Sequence, residues 1–197
     1  METAFDKQIS FWTRRKSRMG DGAIGRRDEN HVEQGQRIAV YLHCWLGDNF
    51  YSHGLDFGCG WGRFSALLAE HCGHLWAVDL FGEWTARAAN LAPTITPISL
   101  EEPKLPLETG SIDFVADIMT LQSIDDDKLM LTFANELKRV AAAGATVISL
   151  HCMKAKPTSR TVMHRAKQLG LSDWEETRVD DIDKAKEPYS FLVGVRM

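Results

Sequence analysis

The run from Gly54 to Ser65, Gly-Leu-Asp-Phe-Gly-Cys-Gly-Trp-Gly-Arg-Phe-Ser, is the feature that most constrains the fold of this chain. Its apolar positions Leu55 and Phe57 are typical of the end of a buried strand, and glycines follow at alternate positions. Glycine adopts positive φ readily, so such a loop can turn tightly into a helix. The run predicts a nucleotide-type cofactor site in which backbone N–H groups and a helix N-terminus face the ligand.

An acidic residue at the end of the next apolar run supports this interpretation. The run Leu75-Trp-Ala-Val78 ends in Asp79, which lies 21 positions after Gly58. In dinucleotide-type folds, the carboxylate that accepts hydrogen bonds from a ribose follows the glycine loop by roughly 20 residues. Asp79 is therefore the predicted ribose ligand. An ordinary strand-to-helix turn that binds nothing is the alternative, because a fold-level pattern alone does not establish an active site.

The spacing of the glycines separates two classes of cofactor. A dehydrogenase fingerprint reads G-x-G-x-x-G, whereas here the third glycine comes one residue early, as Gly58-x-Gly60-x-Gly62, and Asp56 lies two positions before the first. This stretch closely resembles the first motif of the S-adenosylmethionine-dependent methyltransferases with the Rossmann-like fold. The resemblance implies S-adenosyl-L-methionine as cofactor, with the loop backbone, including Cys59, beside its methionine part and the carboxylate that ends the second strand on its ribose.

Alternation of apolar strands and amphipathic helices predicts the fold class. Helices are expected at 31–46, 84–91 and 126–140, and further strands at 95–100, 112–118 and 146–151. This order predicts a parallel sheet that helices cover on both faces. The resemblance implies a three-layer Rossmann-like α/β sandwich with a mostly parallel seven-stranded sheet and an antiparallel C-terminal strand. We expect a single domain at 31–197, preceded by an N-terminal segment or lid at 1–30.

Two further segments resemble the same family, and two positions depart from it. Leu105–Val115 is similar to the segment that leads into the fourth strand, and Glu136–Ser149 to the helix and turn that lead into the fifth. Relatives usually have Pro-Gly-Gly in that turn, where residues 143–145 read Ala-Gly-Ala. Relatives often carry a histidine shortly after the fourth strand, and here Ser123 stands in its place. Any catalytic role of that histidine must be filled by another residue.

The ligand of an open parallel sheet lies beyond the carboxyl ends of the strands, where the strand order reverses. The candidate cofactor-binding residues are accordingly Asp56, Phe57, Gly58, Cys59, Gly60, Asp79, Leu80, Leu100, Glu101 and Asp117. The resemblance implies that Leu100 and Glu101 contact the adenine and that Asp117 reaches the methionine end or the methyl acceptor. A solvated side chain or a turn cap is the alternative for each of the two acids.

Methyl transfer requires alignment of the acceptor, and a base only where the acceptor must lose a proton. His151, at the end of the fifth predicted strand, is the first candidate for that base, and Asp117 is the second. A partly buried histidine that bonds a loop carbonyl is the alternative for His151, because a pKa near 6.5 makes a histidine available without assigning it a role.

Three classes of function stay open. A small molecule methylated on O or N is favoured, with the N-terminal segment as a lid. The basic cluster of residues 14–18, with Trp12 beside it, also allows RNA, DNA or protein as the acceptor. No Asn/Asp-Pro-Pro-Tyr motif follows the fourth predicted strand, so amino groups of DNA bases are disfavoured. A non-catalytic domain that binds the cofactor or a partner is the third class, and Ser123 favours it.

Composition predicts a cytoplasmic protein. The net charge of −4 and the pI of about 6.0 give no general attraction to nucleic acid or anionic membranes. No apolar stretch approaches the ~18 residues of a membrane span, and the N-terminus lacks the layout of a secretion signal. The four cysteines form no C-x-x-C pair, so neither a disulfide framework nor a metal site is expected. The oligomeric state stays open.

Overall fold

Strands and helices alternate along the computed structural model, which describes residues 2–19, 29–152, 162–179 and 189–196. The helices are α1 (Ala4–Met19), α2 (Glu29–Leu46), α3 (Ser65–Glu70), α4 (Gly82–Ala89), α5 (Asp127–Val140) and α6 (Val162–Leu169), with a 3-10 turn at Leu121–Ser123. The strands are β1 (Tyr51–Phe57), β2 (Cys72–Asp79), β3 (Ile95–Ser99), β4 (Ile112–Ile118), β5 (Ala141–Cys152), β6 (Leu171–Val179) and β7 (Tyr189–Arg196).

The strands form one seven-stranded sheet in the order β3-β2-β1-β4-β5-β7-β6. The first five strands of this order pair in parallel, and β7 runs antiparallel to both β5 and β6. The predicted α/β class, with a mostly parallel sheet and an antiparallel C-terminal strand, is confirmed. Because β1 and β4 are neighbours, the strand order reverses between them, and a ligand site is expected above their carboxyl ends.

Each face of the sheet is covered by its own set of helices. One core contains Leu55 and Val115 of the sheet and Phe133 of α5, together with residues of α1 and α6. The other contains Phe114 and Leu68, together with residues of α2 and α4. Successive residues of a strand point to opposite faces, so each central strand is buried on both sides. This explains why adjacent residues of β4, such as Phe114 and Val115, are both apolar.

Helix α1 is an element that the sequence analysis did not predict. At its start, the Asp6 carboxylate accepts the backbone N–H of Thr3 at 2.9 Å, and the Thr3 hydroxyl accepts the N–H of Asp6 at 3.1 Å. Such a reciprocal pair satisfies N–H groups that have no partner within the helix. Phe5 is buried, and its ring centroid lies 6.2 Å from that of Phe133. The helix is therefore attached to the core of the domain.

The connection between β3 and β4 contains no helix in the described structure, and α5 holds it against the sheet. The Arg139 guanidinium donates to the carbonyl oxygens of Leu105 and Leu107, at 2.8 Å each. It also pairs with Glu136 at 2.7 Å, and Glu136 accepts the N–H of Leu105 at 2.8 Å. These bonds fix the buried Leu105 and bring the chain back to the start of β4.

Candidate functional site

The glycine loop after β1 has the backbone conformation that its sequence predicts. Gly58, Gly60 and Gly62 have φ angles of 75°, 54° and 92°, which side chains of L-residues disfavour. A Cβ added to Gly58 would collide with the side chain of Thr120, from the turn after β4. The glycine therefore lets the loop pack directly against that turn, at the point where the strand order reverses.

The N–H groups of this loop do not face a ligand as expected. Those of Gly58 and Cys59 both donate to the carbonyl oxygen of Val78, at 2.7 and 3.0 Å. The N–H of Gly60 donates to the carboxylate of Asp79 at 2.9 Å. The sequence-based expectation of a loop with N–H groups aimed at the ligand is wrong at these three positions, because the end of β2 accepts them all.

Asp79 joins the loop to the end of β2. Its Oδ2 accepts the N–H of Gly60, and its Oδ1 accepts the N–H of Leu80 at 2.7 Å. Burial raises the pKa of Asp79 to about 6, and the backbone N–H donors oppose that rise. A carboxylate offers about four acceptor positions, so hydroxyl groups of a ligand can bind beside the backbone donors.

Asp56 lies buried at the end of β1. Its Oδ2 accepts the hydroxyl proton of Ser65, the first residue of α3, at 2.6 Å. Burial raises the pKa of Asp56 to about 7, and the nearby Asp79 and Asp117 raise it further against the effect of the Ser65 bond. Asp56 thus links the strand that precedes the glycine loop to the helix that follows it.

Asp117 occupies the corresponding position on β4 and holds the turn that follows. Its Oδ1 accepts the N–H groups of Thr120 and Leu121, at 3.1 and 2.9 Å, and its Oδ2 accepts the hydroxyl proton of Ser149 at 2.7 Å. Met119 within this turn has a φ of 65°, although it is not a glycine. The buried carboxylate stabilises this unusual conformation, so Asp117 shapes the pocket from below its surface.

A pocket opens above the carboxyl ends of β1, β2 and β4. Its wall is formed by Gln8, Trp12, Asp56, Phe57, Gly58, Cys59, Arg63, Phe64, Val78, Asp79, Leu80, Trp84, Leu100, Ile118, Met119, Thr120, Ser123, Ile124 and Phe133. Seven of the residues predicted from the sequence lie in this wall, namely Asp56, Phe57, Gly58, Cys59, Asp79, Leu80 and Leu100. The predicted strand ends therefore converge on one site.

Four predicted residues lie outside this wall. Gly60 belongs to the loop and donates its N–H to Asp79, and Asp117 is buried beneath the turn that it holds. Glu101 follows β3 and is exposed to solvent. His151 is buried at the end of β5, where it pairs in register with Ser190 of β7. The structure thus separates the two candidate bases from the pocket surface.

Helix α1 crosses the mouth of the pocket. At one end, the amide of Gln8 donates to the carbonyl oxygen of Ser123 at 3.2 Å, and Trp12 lies in the wall. At the other end, Lys16 forms an ion pair with Glu83 of α4, and its ammonium lies 5.7 Å from the ring centroid of Trp84. The spacing Phe5, Gln8, Trp12 could have revealed an inward face in the sequence, since positions three and four apart share one side of a helix.

Arg63 is a further pocket residue that the sequence analysis did not select. Its two terminal nitrogens each contact the Gln34 side-chain oxygen of α2 at 3.4 Å, and its guanidinium carbon lies 5.1 Å from the ring centroid of Phe64. Arg63 is the one cationic side chain among the described wall residues, which also include the acidic residues Asp56 and Asp79.

Two other types of chemistry find little support at this site. Burial raises the pKa of the Cys59 thiol, because the thiolate would be desolvated and would face Asp56 and Asp79. The thiol is therefore a poor nucleophile. Within the described part of the chain, no group of three or more His, Cys, Asp or Glu side chains could hold a metal ion. The described helices also include none that is long and apolar enough to cross a membrane.

Residues 55–149 match the sequence model of a family described as a methyltransferase domain. A comparison with curated proteins gives no match. The matched stretch begins within β1 and ends within β5, so it includes the glycine loop, Asp79 and the turn after β4.

Several solved structures share this fold. The N-methyltransferase NodS from Bradyrhizobium japonicum, in complex with S-adenosylhomocysteine, has a TM-score of 0.72 at 17% identity, over 96% of this chain and 98% of its own. A Burkholderia thailandensis 1,6-didemethyltoxoflavin N1-methyltransferase, with that compound and S-adenosylhomocysteine bound, has a TM-score of 0.76 at 16% identity, over 100% and 92%. The [4+2]-cyclase SpnF has a TM-score of 0.65 at 12% identity, over 81% and 80%. At these identities, the likeness shows the fold alone.

Proposed function

We propose that the chain is an S-adenosylmethionine-dependent methyltransferase with the Rossmann-like fold, as the methyltransferase-domain match of residues 55–149 supports, and that it methylates an O or N atom of a small-molecule acceptor. The observation that carries this proposal is the meeting of the Gly58 loop, the Asp79 carboxylate and α1 around one pocket. Two similar structures, NodS and the toxoflavin enzyme, are described as N-methyltransferases, which supports nitrogen as one acceptor atom.

The residues present fit S-adenosylmethionine. Asp79 would hold the ribose hydroxyls, and the apolar side chains of Leu80 and Leu100 would lie against the adenine. Gly58 and Cys59 would lie beside the methionine part, and the absence of a side chain on Gly58 lets Thr120 pack against the loop, so that both segments form this part of the wall. Asp56 would support this part of the site through its bond to α3. When bound, the cofactor supplies an electrophilic methyl group on a sulfonium.

Glu101 and Phe57 complete the proposed cofactor contacts. Phe57 lies in the pocket wall between Asp56 and the glycine loop. Glu101 follows Leu100 directly and is exposed beside the wall, where its carboxylate can accept hydrogen bonds from a polar edge of the ligand. Asp117 would act on the methionine end through Thr120, because it accepts the N–H of that wall residue.

The other side of the pocket suits an uncharged acceptor. The described wall residues from α1, the 3-10 turn and α5 include Gln8, Trp12, Ser123 and Phe133, none of which carries a charge. A charged acceptor would lose hydration here without gaining an opposite charge. The aromatic rings favour a flat molecule with apolar surface. Alignment of such an acceptor requires only that these side chains hold it while water is excluded.

Helix α1 acts as a lid in this proposal. Its contacts to Ser123 on one side and Glu83 on the other hold it across the pocket mouth. Lys16, part of the basic cluster of residues 14–18, forms an ion pair with Glu83. This pairing favours a lid role for the segment rather than a role as a nucleic-acid-binding arm. His151 stays the first candidate base and Asp117 the second, and either would act only on an acceptor that loses a proton.

We also propose a cytoplasmic location. The described cysteines Cys44, Cys59 and Cys72 are free thiols, which suits a reducing compartment.

The test combines binding with methyl transfer. Calorimetry should give binding of S-adenosylmethionine and S-adenosylhomocysteine, and none of NAD. Purified protein with methyl-labelled cofactor should then label uncharged heteroaromatic amines or phenols more than phosphoethanolamine, total RNA, duplex DNA or bulk protein. Labelling of RNA or DNA that falls steeply with salt would replace the small-molecule proposal. Cofactor binding without transfer to any acceptor of the panel would favour the non-catalytic class, in keeping with Ser123.

A further inference from the structure

Three carboxyl groups lie near the carboxyl ends of neighbouring strands beneath the pocket. Asp56 belongs to β1, Asp79 to β2 and Asp117 to β4, and β1 lies between the other two strands in the sheet. Asp56 is 3% exposed and forms part of the pocket wall. Negative charges at such close quarters oppose one another, so the three groups do not ionise equally easily.

Hydrogen bonds decide which of the three groups keeps a proton. Asp79 accepts backbone N–H groups, and Asp117 accepts backbone N–H groups and the hydroxyl proton of Ser149. Within the described part of the chain, Asp56 accepts one hydrogen bond, from the Ser65 hydroxyl. Such bonds favour the ionised form of a carboxyl group, so Asp56 is the member of the cluster that is protonated most easily. Burial, with a smaller contribution from the two neighbouring carboxylates, raises the pKa of Asp56 to about 7.

We propose that Asp56 is a pH-dependent switch that sets the preference of the pocket for S-adenosylmethionine over S-adenosylhomocysteine. The two ligands differ by one methyl group and by the positive charge of the sulfonium. An ionised Asp56 attracts that charge, and a protonated Asp56 does not. The product should therefore compete with the substrate more strongly as the pH falls. This inference rests on the cofactor assignment above and is independent of the acceptor.

The charge of Asp56 can act on the sulfonium in the proposed placement of the cofactor. There, the sulfonium joins the ribose at Asp79 to the methionine part beside Gly58 and Cys59, and Asp56 lies two positions before Gly58. At an effective dielectric constant of about 20, two unit charges within about 10 Å of each other change a binding constant by about 10-fold or more. A direct contact between the two groups is not required.

The other groups around Asp56 do not change their charge around pH 7 to the same extent. Asp79 has a pKa of about 6, and burial raises the pKa of the Cys59 thiol well above its usual range. The Arg63 guanidinium stays charged throughout, and Asp117 faces Asp56 from β4, outside the wall. The described wall residues of α1, α4 and α5 carry no charge, namely Gln8, Trp12, Trp84 and Phe133.

Calorimetry with both ligands between pH 6 and pH 8 tests the switch. The ratio of the two dissociation constants would be measured for the wild type, Asp56→Asn, Ser65→Ala and the control Asp113→Asn. Asp113 also accepts backbone N–H groups but lies at the start of β4, outside the wall. The ligands' own ionisation is the same for every protein, so it cancels when the variants are compared. Thermal unfolding checks that each variant is folded.

In the wild type, the preference for S-adenosylmethionine should rise by about 5- to 10-fold from pH 6 to pH 8. Asp56→Asn cannot ionise, so its preference should change by less than about twofold. Ser65→Ala loses the hydrogen bond that favours the ionised form, so the rise should move to a pH about one unit higher. Asp113→Asn should match the wild type. At pH 7, titrations in two buffers of different ionisation enthalpy should show a proton release with S-adenosylmethionine that Asp56→Asn lacks.

A wild-type ratio that is independent of pH would overturn the proposal, and so would an equal rise in Asp56→Asn. Ser65→Ala tests the same point if Asp56→Asn does not fold, because a rise over the same pH range as in the wild type would contradict the role of Asp56. If the wild type bound neither ligand, the cofactor assignment would fail and the switch with it. That result differs from binding of both ligands at a constant ratio, which would remove the switch alone.

Discussion

The Oδ2 atom of Asp79 accepts the backbone N–H of Gly60 at 2.9 Å, so the end of β2 and the loop after β1 are parts of one hydrogen-bonded unit. The other oxygen of the same carboxylate accepts the N–H of Leu80. The residue proposed to bind the ribose therefore also fixes the loop proposed to meet the methionine part. A change at Asp79 should affect both halves of the cofactor.

Asp79→Asn should weaken S-adenosylhomocysteine by about 1–3 kcal/mol, since the amide loses the charge that strengthens bonds to the ribose hydroxyls. Isothermal titration calorimetry at pH 7.5 would measure this loss. Asp113→Asn is the control, because Asp113 also accepts two backbone N–H groups, from Ser52 and His53, but lies at the start of β4. Equal affinities of the Asp79 variant and the wild type would contradict the ribose assignment.

Gly58→Ala should destabilise the protein by several kcal/mol. The backbone at this position has a positive φ, which alanine disfavours, and the new Cβ would collide with Thr120. Gly110→Ala is a matched control, since Gly110 has a φ of 69° but open space around it. A positive φ alone costs about 1–2 kcal/mol. The difference between the two variants in urea unfolding therefore isolates the collision. A difference near zero would show that the contact between the loop and Thr120 is dispensable.

The sequence predicts the parts of the site that depend on short separations. The glycine loop, Asp56 and the central strands follow from residue types and local periodicity, and Asp79 follows from a spacing of 21 positions. The antiparallel final strand was implied by the resemblance and is confirmed, and the match of residues 55–149 to a methyltransferase-domain family agrees with the family that the resemblance implied.

Contacts between distant segments were beyond prediction. The bond between Gln8 and Ser123 joins residues 115 positions apart, and Thr120 packs on Gly58 across 62 positions. Helix α1 was missed because its second half is rich in basic residues and few of its side chains are buried. The N–H groups of the glycine loop were misassigned because their partners, the Val78 carbonyl oxygen and the Asp79 carboxylate, become adjacent only when β1 pairs with β2.

The buried Asp56 should make stability depend on pH. Its pKa is about 7 in the folded protein, against 3.8 for an aspartate side chain that is exposed to water, as in the unfolded chain. The folded state therefore binds more protons than the unfolded state between about pH 4 and pH 7. Stability of the ligand-free protein should therefore fall as the pH rises through this range, by at most about 1.4 kcal/mol per pH unit for this group. Asp79, with a pKa of about 6, adds to the same trend at its lower end.

Asp56→Asn should reduce this fall, most clearly between pH 6 and pH 7, because an amide does not ionise. Urea unfolding at pH 5, 6, 7 and 8 would measure the slope. The exposed Asp48→Asn serves as a control that leaves the slope unchanged. A wild-type slope that survives in Asp56→Asn would mean that another group titrates.

Trp12→Ala should weaken S-adenosylhomocysteine or the acceptor by about 10-fold or more, because Trp12 is the aromatic ring that α1 contributes to the pocket wall. Phe11→Ala is the matched control on the same helix, since Phe11 is 41% exposed and lies outside the wall. Titration of each variant with S-adenosylhomocysteine and steady-state kinetics with a labelled acceptor would separate the two ligands. If the variants behaved alike, α1 would not contribute to binding through its inward face.

The lid itself can be tested with trypsin, which cleaves after Arg14, Arg15 and Lys16 of α1. Cleavage requires local opening of the helix, and a ligand beneath it should make opening rarer. Saturating S-adenosylhomocysteine should therefore slow cleavage at these sites. The Glu83→Gln variant, which loses the ion pair to Lys16, should be cleaved faster without ligand. Cleavage rates that are the same with and without S-adenosylhomocysteine would argue against closure of α1 over the cofactor.

His151→Gln tests the proposed base. If His151 takes a proton from the acceptor, the variant should lose about 10²- to 10⁴-fold in kcat while its affinity for S-adenosylhomocysteine stays the same. Asp117→Asn should behave differently, because Asp117 holds Thr120 and Leu121, and its loss should disturb cofactor affinity as well as turnover. Single-turnover transfer and calorimetry on both variants separate these effects. Unchanged turnover in a folded His151→Gln protein would assign His151 a structural role at the end of β5.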